Sequence, residues 1–396
     1  MNLQSFTILT ENFPPCAGGG IAEWALGIAE ELARGGHYVI VLTRWKHRHR
    51  PETLYARSAF AVKKMHGHDW RRFRYIYSFI HQFIRLTRHP NTTIVATTWQ
   101  LARPFAFLHV FFTNAKLIVA AHGVEITRIN ERQPVSGFKK TIAASTLTIA
   151  VSNFTRTAIL HRCSQNDHRK VVFIPNAVDT KRFHRVDDTE LLRSKLGIPH
   201  ASPVILTLAR VIERKGHDTV IGCLPQLKKH FPDLRYIIAG PWRTEYKQLL
   251  DELVDSLNLS DSVVFTGFVD QCDLNRYYSM ASVYVMVSTY IRQRGDSEGF
   301  GITFLEANAC ECPVIGSRSG GIPDAIEDGV TGYLIEPEDG GGLRRKLSWL
   351  LSHPRKARQL GVQGRKRIET GYNYASITRR MLDEYRRRLN GNQRPH

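Results

Sequence analysis

The sequence predicts two successive α/β units, each a doubly wound parallel sheet with helices on both faces. Three observations predict it: short β-branched runs alternate with stretches of helical period, a turn-rich seam falls mid-chain where the charge balance changes sign, and glycine-rich loops follow several strands directly. At 396 residues the chain has the length of about two domains of roughly 100–200 residues. It is 42% apolar and 23% charged, and it lacks any apolar run near the roughly 20 residues of a membrane span. An integral membrane protein, a disordered tail and a fibrous repeat are thereby excluded.

The strands are read in order. The front half offers FTILT (6–10), YVIVLT (38–43), TIVAT (93–97), LIVAAHG (117–123), TLTIAVS (146–152) and VVFIPN (171–176). The back half offers VILTL (204–208), YIIAG (236–240), VVFTG (263–267), VYVMVS (283–288), PVIGS (313–317) and GYLIE (332–336). Each run is short, β-branched and bounded by turn residues, as buried parallel strands are. The seam PNAVDTKRFHRVDD (175–188) divides the halves, and a second seam near 352–356 precedes two basic helical segments. The expected division is therefore 1–180, 181–355 and 356–396, with the last helices crossing back to pack on the first unit.

Six cysteines, at Cys16, Cys163, Cys223, Cys272, Cys310 and Cys312, contain no C-x-x-C pair. Neither a zinc site nor a disulfide framework is indicated, and a reducing compartment fits. MNLQSFTILTENFPP does not read as a signal peptide, so a cytoplasmic protein is expected. The net charge of +19 divides as +16 over residues 1–185, −5 over 186–355 and +8 over 356–396. A coat for nucleic acid is not expected to divide this way, whereas one face turned to an anionic bilayer or polyanion is consistent with it.

Gly18-Gly19-Gly20 follows the first strand and precedes a helix stopped by Gly35-Gly36. Glycines admit close backbone approach, and a helix start offers free N–H groups to an anion, although a plain flexible turn reads the same way. The spacing is not G-x-G-x-x-G and no acid follows the second strand, which disfavours a nicotinamide dinucleotide. His122-Gly123 stands at the carboxyl end of an apolar strand, the edge where open parallel sheets bind ligands. Arg210 and Lys215 follow the first back-half strand, a guanidinium fork and a point charge suited to a diphosphate, or else a solvated basic loop.

The most specific run is Glu298-Gly299-Phe300-Gly301-Ile302-Thr303-Phe304-Leu305-Glu306. Two glycines open a helix whose amides favour phosphate, with Glu298 just before it and Glu306 about two turns in. Ser319-Gly320-Gly321-Ile322-Pro323 repeats the theme of glycines at a helix start. In the front half, Phe73, Ile76, Tyr77, Ile80, Phe83 and Ile84 recur at helical spacing, with Arg71, Arg72, Arg74 and Arg85 elsewhere on the wheel. That pattern fits a helix lying in membrane headgroups, and equally a core helix with a solvated basic back.

Taken in this order, the segments resemble the retaining glycosyltransferases of family 4, which have the GT-B fold of two Rossmann-like domains facing a cleft. The likeness rests on the loop at 18–20, His122-Gly123, Ile174-Pro175-Asn176-Ala177-Val178-Asp179, Arg210 with Lys215-Gly216, and Glu298-x7-Glu306. It implies a nucleotide-diphosphate sugar of GDP or UDP type as donor, bound mainly by the back domain, with neither cofactor nor metal and with retention of configuration. Arg210 and Lys215 would neutralise the diphosphate, helped by Gly19, Gly20 and the amides of Gly299, Phe300, Gly301, Ile302 and Thr303. Glu306 would hold the ribose, Glu298 and His122 the transferred sugar, and Gly240, Phe268 and Val269 would border the nucleotide. The catalytic set so implied is His122, Arg210, Lys215 and Glu298.

Within the family, Asp296 beside the E-G-F-G-I run and the basic amphipathic segment at Arg71, Arg72, Phe73, Arg74, Ile76, Tyr77 and Ile80 are similar to phosphatidylinositol-mannoside mannosyltransferases. The expected partners are a nucleotide sugar, a lipid-linked or glycan acceptor and an anionic membrane surface on the cytoplasmic side, without nucleic acid. Cleavage of a glycosyl phosphate builds negative charge on the departing diphosphate, which fixed cations and helix amides stabilise. A non-catalytic polyanion-binding relative and an epimerase of the same fold are the alternatives; the intact E-x7-E and both cations favour the transferase.

Overall fold

The computed structural model describes residues 3–15, 19–45, 50–65, 70–129 and 135–391, with backbone alone for 70–75, 292 and 391. The chain forms two compact units, Met1–Asn176 with Tyr374–His396, and Ala177–Asn373. The first boundary falls inside the expected seam.

The first unit holds β1 (Ser5–Thr10), β2 (Tyr38–Thr43), β3 (Ala61–Lys64), β4 (Thr93–Ala96), β5 (Lys116–Ala121), β6 (Leu147–Ala150) and β7 (Val171–Phe173). They form one sheet in the order β3-β2-β1-β4-β5-β6-β7, parallel at every pairing. The order reverses between β1 and β4, so the carboxyl ends of β1 and its neighbours form a topological switch point. Six of these strands coincide with β-branched runs. The seventh, β3, ends in Lys63 and Lys64 and lies at the edge, where lysines discourage further strand pairing.

The second unit holds β8 (Val204–Leu208), β9 (Arg235–Ala239), β10 (Val263–Gly267), β11 (Val283–Met286), β12 (Val314–Ser317) and β13 (Gly332–Ile335). Their order is β10-β9-β8-β11-β12-β13, again parallel throughout. Central strands are buried on both faces: Ile205, Tyr236, Ile238, Val283, Val285 and Ile315 share one core with the helices His217–Lys228 and Gly340–Ser352. The α/β architecture of two Rossmann-like units is as the sequence predicts.

The basic C-terminal helices divide differently from the expected 356–396 segment. Helix Pro354–Gly371 belongs to the second unit. Gly361 and Gly364 let it press onto helix Ile302–Ala309, for a Cβ at Gly361 would stand 1.9 Å from the Glu311 carbonyl oxygen and one at Gly364 2.5 Å from Asn308. Arg365 donates to the carbonyls of Ala309, Phe183 and Thr180 at 2.9, 2.6 and 3.2 Å.

Only the final helix, Tyr374–Gly391, joins the first unit. The Tyr374 ring occupies the space a side chain at Gly27 would need. The Tyr385 hydroxyl lies 2.8 Å from Thr93 Oγ1 on β4, and Arg388 donates to the Arg169 carbonyl at 2.9 Å.

Candidate functional site

In the second unit the chemistry-bearing side chains gather at the carboxyl ends of β8 and β11. After β8 the chain makes a one-turn helix, Glu213–Lys215, ended by Gly216 at φ +70°. A Cβ there would sit 2.5 Å from the Val287 carbonyl oxygen, so glycine permits this turn to lie against the end of β11. The amide of Thr289 donates to the Arg214 carbonyl at 2.9 Å and ties the two loops together.

The pinned turn brings Arg214 and Lys215 onto Glu298. One carboxylate oxygen, Oε2, accepts from Lys215 Nζ at 2.5 Å and from Arg214 at 2.8 Å, while Arg214 Nε stands 3.1 Å from Asp296 Oδ1. Arg214 also donates to Ser288 Oγ at 3.3 Å, and Lys215 Nζ lies 3.1 Å from Met286 Sδ. Both cations are buried, at 5% and 8% exposure. Burial alone would raise the Glu298 pKa, but Lys215 and Arg214 overcome it and hold the carboxyl at about 2. Burial lowers the Lys215 pKa, and Glu298 opposes that shift.

The backbone of Glu298 is fixed as firmly as its side chain. Its carbonyl accepts from the Gly321 amide at 2.8 Å. A Cβ on Gly320, at φ +57°, would stand 2.3 Å from the same oxygen. The Ser319-Gly320-Gly321 segment thus acts as a cradle for Glu298.

Beyond Glu298, Gly301 at φ +90° caps helix Ile302–Ala309 without a side-chain hydrogen bond. Helix starts leave backbone donors free for an anion. Gly299 and Phe300 are buried just before it. Because the helix begins at Ile302, Glu306 lies little more than one turn in, rather than two. Its Oε2 accepts from the buried Tyr278 hydroxyl at 2.7 Å, and Tyr284 donates to Thr303 Oγ1 at 2.7 Å.

Arg210 differs from Lys215. It is exposed and has no carboxylate partner among the described residues. Arg214 and Lys215 are balanced by Glu298 and Asp296, so Arg210 carries the uncompensated positive charge here. Gly240, at φ +139°, lets β9 end against β8, for a Cβ would lie 2.1 Å from the Ala209 carbonyl oxygen. Phe268 is 74% exposed and Val269 partly buried.

In the first unit, Gly19 (φ +108°) and Gly20 begin helix Gly20–Arg34 after β1, while Gly18 lies outside the described residues. His122 follows β5. The Glu125 carboxylate accepts from the amides of His122 and Gly123, the latter at 3.3 Å, and so closes the turn. The Trp24 ring meets His122 edge-on, with centroids 5.5 Å apart. His122 Nε2 and Trp24 Nε1 are buried without hydrogen-bond partners among the described residues, and burial lowers the imidazole pKa to about 4, keeping it neutral.

Sequence reasoning missed Arg214, Tyr278 and Trp24 as members of these constellations. Arg214 sits within the quoted R-V-I-E-R-K-G run, but its role depends on a glutamate 84 residues later. Tyr278 and Trp24 carried no signal beyond their helical positions.

Helix Trp70–Arg88 has an unusually polar inner face. It buries Ser78, Gln82 and Arg85 beside the core residue Leu86. Ser78 and Gln82 donate to the Leu101 carbonyl at 2.9 and 2.7 Å, and Arg85 donates to Thr7 and Ser5 at 2.9 and 3.0 Å. Ile76, Phe79, Ile80, Phe83 and Ile84 are all at least 41% exposed, Tyr77 being partly buried. The side chains of Arg71, Arg72, Phe73 and Arg74 lie outside the described residues. No helix among the described residues is long and apolar enough to cross a membrane.

Two family models match the chain: glycosyl transferases group 1 over residues 188–367 and glycosyltransferase family 4 over residues 18–182. A GDP-mannose-dependent α-(1-6)-phosphatidylinositol monomannoside mannosyltransferase of Mycolicibacterium smegmatis is 28% identical over 384 residues, 90% of this chain and 92% of that one. The monoacylated-substrate counterpart from Corynebacterium glutamicum is 30% identical over 68% of this chain and 69% of its own. A D-inositol 3-phosphate glycosyltransferase of Thermobifida fusca is 25% identical over 93% and 88%. Among solved structures, sucrose-phosphate synthase of Thermosynechococcus elongatus superposes with a TM-score of 0.78 at 23% identity, covering 98% of this chain and 100% of that one. HepE of Anabaena, in complex with UDP and glucose, gives 0.76 at 18% identity over 96% and 98%.

The two nucleotide-fold units thus have the GT-B fold, and the chain belongs to glycosyltransferase family 4. Within that family it is a hexosyltransferase that takes its sugar from a nucleotide-sugar donor.

Proposed function

We propose that the protein transfers a mannosyl group from GDP-mannose, with retention and without a metal, to an inositol-bearing phospholipid at the cytoplasmic face of a membrane. The donor reading is supported by likeness to the M. smegmatis mannosyltransferase over nine-tenths of the chain. In this reading Arg210 and the N–H groups at Gly301–Thr303 take up the charge that develops on the leaving diphosphate, as preorganised donors do. Glu298, ionised and fixed by two cations, orients the sugar hydroxyls, and Glu306 holds the ribose. Gly240, Phe268 and Val269 flank the nucleotide. His122 and the Gly19-Gly20 turn serve transfer by the family likeness, with the neutral imidazole acting as a hydrogen-bonding group.

The observation that carries the lipid acceptor is the helix Trp70–Arg88. Five large apolar side chains held outward over a hydrogen-bonded polar face are unfavourable in water, and insertion into a headgroup region relieves that exposure.

A thermal-shift panel of GDP, UDP and ADP tests the donor. A ligand at 100 times its dissociation constant adds about 2.7 kcal/mol, and no response to any nucleotide sinks the donor reading. Transfer of labelled mannose from GDP-mannose to phosphatidylinositol in vesicles, run with and without chelator, tests acceptor and metal; the anomeric configuration of the product tests retention. Transfer to soluble inositol phosphate alone would reject the lipid acceptor.

A further inference from the structure

The return of helix Tyr374–Gly391 to the first unit joins the two basic regions of the sequence at one place. Lys116 opens β5, Ser145 and Thr146 precede β6, and Arg169 and Lys170 precede β7. Arg387 and Arg388 reach the same spot from the last helix, and together with Leu389 these residues line a cavity of about 560 Å³. It lies at the amino edge of the sheet. At about 3.3 Å per residue along β5, it stands ~20 Å from His122 at the other edge.

Charge here exceeds what the protein balances. Lys170 pairs with Asp167 at 2.8 Å, Arg387 with Glu384 at 2.8 Å, and Arg388 with the same Glu384. Five cations therefore meet two carboxylates, leaving three positive charges. Among the described residues Arg169 is exposed and has no carboxylate partner, and Lys116 Nζ has none either, donating to the Thr113 carbonyl at 3.2 Å. Arg388 Nε is buried with no hydrogen-bond partner among the described residues. Guanidinium forks and ammonium groups around a concavity recognise phosphate oxygens, which accept several charge-assisted hydrogen bonds at once.

From this geometry we infer that the amino edge of the first unit is a binding site for a phosphate or diphosphate group, separate from the residues assigned to the donor. The group belongs either to a soluble phosphate ester or to a lipid headgroup. Phe107, on the short helix Phe105–Leu108, and Val110 and Phe111 just after it, at 57%, 66% and 81% exposure, precede Lys116 along the chain, and a lipid's apolar part would lie beside them.

The probe is inorganic pyrophosphate, titrated by calorimetry into the full chain carrying Arg210→Ala, which weakens any contribution from the proposed donor site. Saturable binding is expected. Lys116→Glu or Arg169→Glu, both changes of side chains without carboxylate partners, is expected to lower the affinity about tenfold or more, the worth of a lost charge-assisted hydrogen bond. Arg387→Ala is the second variant should either reversal fail to fold. Vesicles of equimolar phosphatidylcholine and phosphatidylinositol distinguish the source. Release of bound protein by pyrophosphate, lost in the reversal variants, identifies a headgroup; pyrophosphate binding without such release identifies a soluble ester. Pyrophosphate affinity unchanged between the Arg210→Ala parent and the folded variants overturns the site.

Discussion

Replacing Glu298 by Gln keeps the side chain's shape but removes the charge shared by Arg214 and Lys215. The carboxyl is held at about 2 against an ordinary value of 4.5, which is worth about 3 kcal/mol of stability at neutral pH. The loss does not end there, because two cations that are 5% and 8% exposed are left in a poorly solvated place. Breaking a buried pair by deleting one partner costs about 3–5 kcal/mol. For a domain of this size each kcal/mol moves the melting temperature by about 2–4 °C, so a fall of about 10 °C is expected.

The pH dependence has a definite sign. A carboxyl with a depressed pKa stabilises the fold above its ordinary pKa and loses that contribution as pH falls toward the depressed value. The gap between wild type and Glu298→Gln should therefore be full at neutral pH and shrink between pH 4.5 and about 2. Calorimetric melts across that range measure it. Lys215→Met combined with Glu298→Gln should cost less than the two single changes together, since the pair disappears as a unit. A Glu298→Gln protein melting within about 1 °C of wild type at neutral pH would refute the ion-cluster account.

Arg210→Ala should leave the melting temperature unchanged, because the side chain is exposed and has no carboxylate partner among the described residues, yet slow sugar transfer about 100-fold; turnover near normal removes Arg210 from the chemistry. Gly320→Ala should unfold the Glu298 cradle, with about 1–2 kcal/mol lost to the left-handed backbone alone and more to the 2.3 Å approach, as chemical denaturation would record. His122 and His217 are both held down at about 4 by burial. Each should destabilise the fold as pH drops from 6.5 through 4, because the unfolded imidazole takes up a proton the folded one refuses. His217→Gln should flatten that acid slope in pH-resolved melts, and an unchanged slope contradicts the assignment.

Twelve of the thirteen strands among the described residues were legible because buried parallel strands are written in β-branched residues, which have few other uses at such density. The missing one, β3, is AVKK, whose lysines suit an edge and read as loop. The basic helical reading of 356–396 sent both segments to the first unit, whereas residues 354–371 go to the second; that choice rests on Gly361 and Gly364, whose lack of a side chain matters only beside Glu311 and Asn308. The stripe Phe73, Ile76, Tyr77, Ile80, Phe83 and Ile84 was equally visible, yet a pattern along a helix does not say which face meets solvent. Ser78, Gln82 and Arg85 settle it through hydrogen bonds to Leu101, Thr7 and Ser5, partners that only the folded chain supplies. Glu298, Lys215 and Arg210 could be named from their places after strands, whereas the neutralisation of Lys215 depends on the fold.

The Tyr385–Thr93 contact spans 292 residues, and it gives biosynthesis an unusual order. On the ribosome the strands of the first unit emerge early, but the helix that covers Gly27 and β4 is translated only after the entire second unit. The second unit, contiguous from Ala177 to Asn373, is free to fold while the first waits with part of its apolar surface uncovered. A nascent chain stalled before Tyr374 would thus carry a finished C-terminal body and an unfinished N-terminal one, the reverse of ordinary vectorial folding.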